Sequence, residues 1–190
     1  MRAARRLRLL VWAAIAATTS PAPVPAQAPT RSAPVPEYQI KAVFLFNFAQ
    51  FVEWPAGTFP DSGGPLVIGV LGEDPFGPYL DETVRGETAH GHRIDVRRLE
   101  RLGEITDCHI LFVSRGELYR LDEILAALKG RSVLTVGDAE GFAARGGMIR
   151  FVTDRNRIRL RINLEAARAA DLTLSSKLLR PAQIVRTGED

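Results

Sequence analysis

The residues in this chain whose chemistry depends on their neighbours are three histidines, one cysteine and the serines, and none stands in a spacing that completes a catalytic or metal-binding set. His90 and His92 flank Gly91. A metal there would need further Cys, His or carboxylate ligands converging on the same point, and although Glu87 and Asp95 are close in sequence, no spacing demands them. The pair reads as a solvated loop. Asp107-Cys108-His109 holds the residue types of a nucleophile and its base, but successive side chains on a strand point to opposite faces, so Cys108 and His109 would not share a proton. Ser114 lacks the GxSxG elbow, and Ser175-Ser176-Lys177 lacks the SxxK spacing of serine acyl-enzymes. Gly69, Gly72 and Gly77 surround a strand exit without spelling GxGxxG or a Walker sequence. Gly72 suits a tight turn there. We therefore expect no catalytic residue, no metal and no cofactor.

Recognition has better material. Arg157, Arg159 and Arg161 alternate with Ile158, Leu160 and Ile162, so a strand here would carry one arginine-lined face and one apolar face. Planar guanidinium groups in a row can grip carboxylates or phosphates. The alternative role is a charged edge strand that discourages aggregation. The strand exit Gly72, Glu73, Asp74 and Phe76 is a second candidate, as a site for an anionic metabolite or cell-wall fragment. Cys108 precedes the apolar run His109 to Val113 and reads as a buried, inert thiol. A redox sensor or an intermolecular bridge would need it exposed with a low pKa.

These residues depend on elements that the hydrophobic pattern outlines. Glu37 to Pro55 holds six of the fourteen aromatic residues and reads as a core helix, bounded by Pro36 and Pro55. At about 100° per residue, Ile40, Phe44, Phe48 and Phe51 form one stripe. Val43 and Phe46 fall on the other side, which suggests a second contact, with another layer or with a partner. Leu66–Leu71, Arg93–Val96, His109–Val113 and Val133–Val136 read as strands, with helical pattern over Phe76–Val84 and Glu117–Leu128. Met148–Thr153 and Arg157–Ile162 flank a turn and suit a hairpin, Asn163 can cap a helix over Leu164–Ala170, and Leu172 to Arg180 brings an apolar segment back to the body. The expected fold is an α/β three-layer sandwich, a mainly parallel sheet flanked by helices with a C-terminal antiparallel hairpin at the edge.

Arg2, Arg5, Arg6 and Arg8 precede the apolar run Leu9–Ala17 and a Pro/Ala-rich stretch ending in small residues, the pattern of a cleavable signal peptide over residues 1–28. Residues 29–36 read as a flexible lead, 37–186 as one domain and 187–190 as a tail. The formal charge of +3 includes those four arginines and no leader acid, so the mature chain is near −1. Nucleic-acid binding, which rests largely on neutralising phosphates, is disfavoured. A single cysteine cannot form an internal disulfide in an exporting compartment, so packing must hold the domain.

Four stretches together resemble the YfiR family of periplasmic regulators: Tyr38–Pro55 (YQIKAVFLFNFAQFVEWP), Leu66–Gly77 (LVIGVLGEDPFG), Asp107–Ser114 (DCHILFVS) and Ile162–Arg180 (INLEAARAADLTLSSKLLR). The first and last are specific; the middle two are ordinary strands. The resemblance implies an α/β sandwich, often a homodimer, without known catalysis. It also implies inhibition of a membrane-bound diguanylate cyclase through that enzyme's periplasmic sensor domain, relieved by an outer-membrane lipoprotein, with cyclic di-GMP and biofilm formation as the output. Phe46, Arg157, Arg159 and Arg161 are the expected partner contacts. Redox control through paired cysteines, which the family can show, is not expected within a chain that has one. The competing function is a periplasmic small-ligand binder feeding another membrane sensor.

Overall fold

Pro36 starts the first helix because it needs no amide partner, and its carbonyl accepts from the Gln39 and Ile40 amides at 3.0 and 3.4 Å. The computed structural model describes residues 36–59, 63–155 and 157–189. The expected signal peptide, the lead up to residue 35 and Asn156 of the expected turn lie outside them.

In chain order the elements are α1 (Glu37–Phe51), β1 (Val52–Glu53), β2 (Leu66–Leu71), α2 (Pro78–Val84), β3 (Thr88–Ala89) and β4 (His92–Leu99). A 3-10 segment (Leu102–Asp107) leads to β5 (Ile110–Val113), and a second (Arg115–Arg120) runs into α3 (Leu121–Ala127). Then come β6 (Leu134–Gly137), β7 (Ile149–Asp154), β8 (Arg157–Asn163), α4 (Leu164–Ala169), β9 (Thr173–Leu174), α5 (Ser176–Leu179) and β10 (Gln183–Val185).

Among the described residues eight strands form one sheet in the order β10-β8-β7-β6-β5-β2-β4-β3. From β4 through β7 every pairing is parallel; β7 with β8 and β3 with β4 are antiparallel, and β10 returns parallel to β8. The central strands β2, β5 and β6 are buried at every position, as strands covered on both faces must be. One face carries α1, α2 and the C-terminal helices over a cluster that includes Leu45, Phe48, Ile68, Phe112 and Phe151. The other carries α3 and the 3-10 segments over Val67, Leu71, Leu111, Ile124 and Phe142. This is the expected three-layer sandwich. No described helix is long and apolar enough to cross a membrane.

Three local expectations change. The least exposed row of α1 is Lys41, Ala42, Leu45, Phe48 and Ala49, and of the expected stripe only Phe48 belongs to it. Small residues let the helix approach the sheet closely, while Phe44 and Phe51 reach in from its flanks and stay half-buried. Secondly, β8 is not the outermost strand. Three-residue β10 lies beyond it, opposite Arg161, Ile162 and Asn163, leaving the half from Arg157 to Leu160 without an outer neighbour among the described residues. Periodicity over three residues is too short to announce such a strand. The helix expected over 117–128 begins as 3-10 and becomes α-helical only at Leu121. Asn163 caps α4 as expected, its Oδ1 accepting from the Ala166 amide at 3.0 Å.

Candidate functional site

The chain leaves β2 for β4 and then returns past β2 to β5. Connections therefore diverge at the carboxyl ends of β2 and β5, the place where open α/β sheets hold a crevice. Asp138, the residue after β6, stands at this end of the sheet with a fully buried side chain. The first turns of α1 cross it. Tyr38 and Lys41, three residues apart and so on one side of the helix, both reach Asp138: the Tyr38 hydroxyl donates to Oδ2 at 2.8 Å and Lys41 Nζ donates to the same oxygen at 2.6 Å. Arg115, two residues beyond β5, donates Nε to Oδ1 at 3.1 Å. Glu37 pairs with Lys41 one turn back, and the ammonium lies 4.3 Å from the centre of the Tyr38 ring.

A lone buried carboxylate would be driven towards its neutral form. Burial does push Asp138 upward, but Lys41, Tyr38 and Arg115 outweigh it and hold the carboxyl below its usual range. Burial and the hydrogen bond to Asp138 push the Tyr38 phenol well above its usual value. The hydrogen bond to Asp138 also strengthens Arg115's hold on its proton. The result is a fixed, charged network with Arg115 at its rim, where about two thirds of that side chain is exposed. Beside it opens a crevice of about 240 Å³, bordered by Tyr38, Glu73, Pro75, Phe112 and Arg115.

Of the four residues expected at the strand exit, Glu73 borders this crevice, and Gly72, Asp74 and Phe76 have other roles. Gly72 has φ +86°, and a Cβ there would come within 2.7 Å of Glu117, so turn and packing both require glycine. Glu73 is exposed, and its carbonyl accepts from the Ser114 hydroxyl at 2.6 Å. Asp74 is occupied: Oδ1 accepts from the Phe76 amide at 2.8 Å and Oδ2 from Arg98 Nε at 3.0 Å. Phe76 is buried, edge-on to Tyr38 and Phe112, and belongs to the core rather than to a contact surface.

The expected partner residues divide between two faces. Leu160 and Ile162 join the core cluster under α1, so Arg157, Arg159 and Arg161 point to the opposite side of the sheet. Arg157 and Arg159 are exposed and Arg161 half-buried; Arg159 Nε lies 3.2 Å from Asp154 Oδ2. Phe46, half-buried on α1, belongs to the other face. The sheet thus separates Phe46 from the arginines.

Cys108 is buried, and burial pushes its thiol up to about 11, which leaves it protonated at neutral pH. Ser175 caps α5, accepting from the Lys177 amide at 3.3 Å. His90, His92 and His109 do converge, but around the ring of Phe59. Among the described residues no group of three or more His, Cys, Asp or Glu is placed to hold a metal.

The spacing did not single out Lys41 and Asp138. The available signal was a lysine in phase with Leu45 and Phe48, four and seven residues on, because a cation in an apolar row needs a buried carboxylate.

No curated protein matches the chain. A family model does match, over residues 38–183, from the Tyr38 of the buried network to the first residue of β10, and it is described as YfiR/HmsC-like. Since this match spans both faces of the sheet and nearly all of the described chain, the protein belongs to the YfiR/HmsC-like family.

Proposed function

We propose that this protein is an exported brake that inhibits a membrane-bound diguanylate cyclase by binding its periplasmic sensor domain, lowering cyclic di-GMP and with it biofilm formation. YfiR-family proteins are non-catalytic periplasmic regulators connected with diguanylate cyclase signalling. Membership in that family is the observation that carries the reading. The exposed Arg157 and Arg159, on the sheet face opposite α1, are the docking groups, and an acidic surface on the sensor domain is their complement. Phe46 and the half-exposed Val43 form a separate patch on α1 that suits the second subunit of a homodimer. An outer-membrane lipoprotein that sequesters the protein would release the brake. Inhibition needs only tighter binding to the inactive cyclase arrangement than to the active one.

The test is Arg157→Glu with Arg159→Glu in the full chain. Both side chains are exposed, so the double variant should fold normally and fail to lower cyclic di-GMP when it replaces the wild type. Full repression by a normally expressed double variant would remove this face from the reading.

The second reading, a small-ligand module feeding another membrane sensor, is favoured by one observation: the crevice at Arg115 lies at the strand crossover where ligands bind in sheets of this kind. A ligand that binds only the folded state raises its melting temperature. Small carboxylates and cell-wall fragments that raise Tm in the wild type, and not in Arg115→Gln, would support it.

A further inference from the structure

At the amino end of the same sheet the three histidines of the chain surround one aromatic ring. Phe59 makes near-parallel stacks with two imidazoles, those of His92 (centroids 4.4 Å, 17°) and His109 (4.7 Å, 9°). Trp54 meets Phe59, His90 and His109 edge-on at 5.9, 5.8 and 6.4 Å. His109 is nearly buried, and its Nδ1 accepts the backbone amide of Val67 at 3.0 Å. The same ring hydrogen-bonds the Thr58 backbone, next to Phe59. His92 Nδ1 lies 2.6 Å from the Gly64 carbonyl, so that nitrogen carries the proton.

The Val67 bond fixes the protonation state of His109. An amide can only donate, so Nδ1 must be bare, and an imidazolium has no bare nitrogen. Protonation would set two N–H groups against each other inside the core and leave the Val67 donor without a partner. We propose that Trp54–Phe59 is an acid-operated latch: when His109 gains a proton it gives up the Val67 amide, and the Phe59 ring leaves its stacks with His92 and His109. The latch goes beyond the inhibitory role, as it makes one surface of the domain depend on the acidity of its compartment.

On balance the groups facing His109 keep its ring neutral until the medium turns acidic. Burial opposes the charged ring first, and His92 and Arg97 oppose it too; the Thr58 bond and Asp107 favour it. Asp107 is itself 3.3 Å from Arg97. Arg131 lines a cleft beside His109 and donates to the Ile105 carbonyl at 2.8 Å, while the neighbouring Cys108 thiol stays neutral. His90 is exposed and reaches the cluster through Trp54 and Phe59.

The experiment uses the full chain with Trp12→Phe, which leaves Trp54 as the single emitter. Its fluorescence is followed from pH 8 to pH 4.5 beside far-UV circular dichroism. The latch predicts a reversible change in Trp54 emission below about pH 6.5, the ordinary histidine range, with the fold retained. His109→Asn supplies an uncharged side-chain acceptor in place of Nδ1 and should abolish the change; His92→Asn should leave it in place. An unaltered transition in His109→Asn, or flat emission in the parent down to pH 4.5, overturns the proposal. Should His109→Asn fail to fold, ¹⁵N-histidine spectra of the parent decide: His109 gaining its proton together with the Trp54 change supports the latch, and a change while His109 stays neutral refutes it.

Discussion

The two ends of the parallel sheet solve the same problem in opposite ways. At the carboxyl end Asp138 is buried as a charge and held by three donors on two other elements. At the amino end His109 is buried as a neutral ring, and one of its two hydrogen bonds exists only while it is neutral. The first arrangement is fixed across the physiological range; the second changes with one proton. A buried ionisable group can therefore serve rigidity or response, and what decides is whether its partners need its charge or its lone pair.

The sharpest way to break the comparison is at the charged end. Lys41→Met leaves Asp138 with Tyr38 and Arg115 only, and should cost about 3 kcal/mol in urea unfolding, the low end of the range for halving a buried pair. Lys41→Met with Asp138→Leu should recover much of that loss, because the apolar replacement removes the unpaired charge too. At the other end, His109→Leu orphans the Val67 amide and should cost about 1–3 kcal/mol at pH 7. His109→Asn keeps an acceptor and loses mainly ring stacking, about 0.5–1.5 kcal/mol.

The pH profile separates the two ends in one titration. His109 is held below its ordinary value, chiefly by burial. The unfolded chain therefore takes up that proton first, and stability falls as pH drops below about 6.5. Asp138 is held low by its three donors against its burial. The unfolded chain again protonates first, so the carboxyl end loses stability only as pH falls below about 4. Stability should thus be flat above about pH 6.5 and decline in two steps, with the upper step absent in His109→Asn. The smallest effect belongs to the surface: removing the exposed Arg159–Asp154 pair should change unfolding free energy by no more than about 1 kcal/mol.

Legibility in the sequence followed the length of the pattern. β2 was readable to the residue, because six consecutive apolar positions between turn residues leave little choice. The Asn163 cap and the β7–β8 hairpin were readable for similar reasons. β10 was not, and its absence from the sequence reading turned an interior strand into an edge. Both polar centres were invisible for a different reason: Lys41 and Asp138 are 97 residues apart, and His109 meets Val67 across 42, so only the fold brings them together. Regarding His90 and His92 by their local spacing led to a solvated loop, where the chain gathers both with His109 around Phe59. The arginine row was readable as alternation, but not its separation from Phe46, which depends on α1 lying on the opposite face.

The inhibitory role is tested most directly by cellular cyclic di-GMP in a strain lacking the protein, complemented with the full chain or with one missing residues 1–28. A brake acting in the periplasm predicts a rise on deletion that only the exported form reverses. An unchanged level on deletion, under conditions in which the parent strain makes the protein, would contradict it.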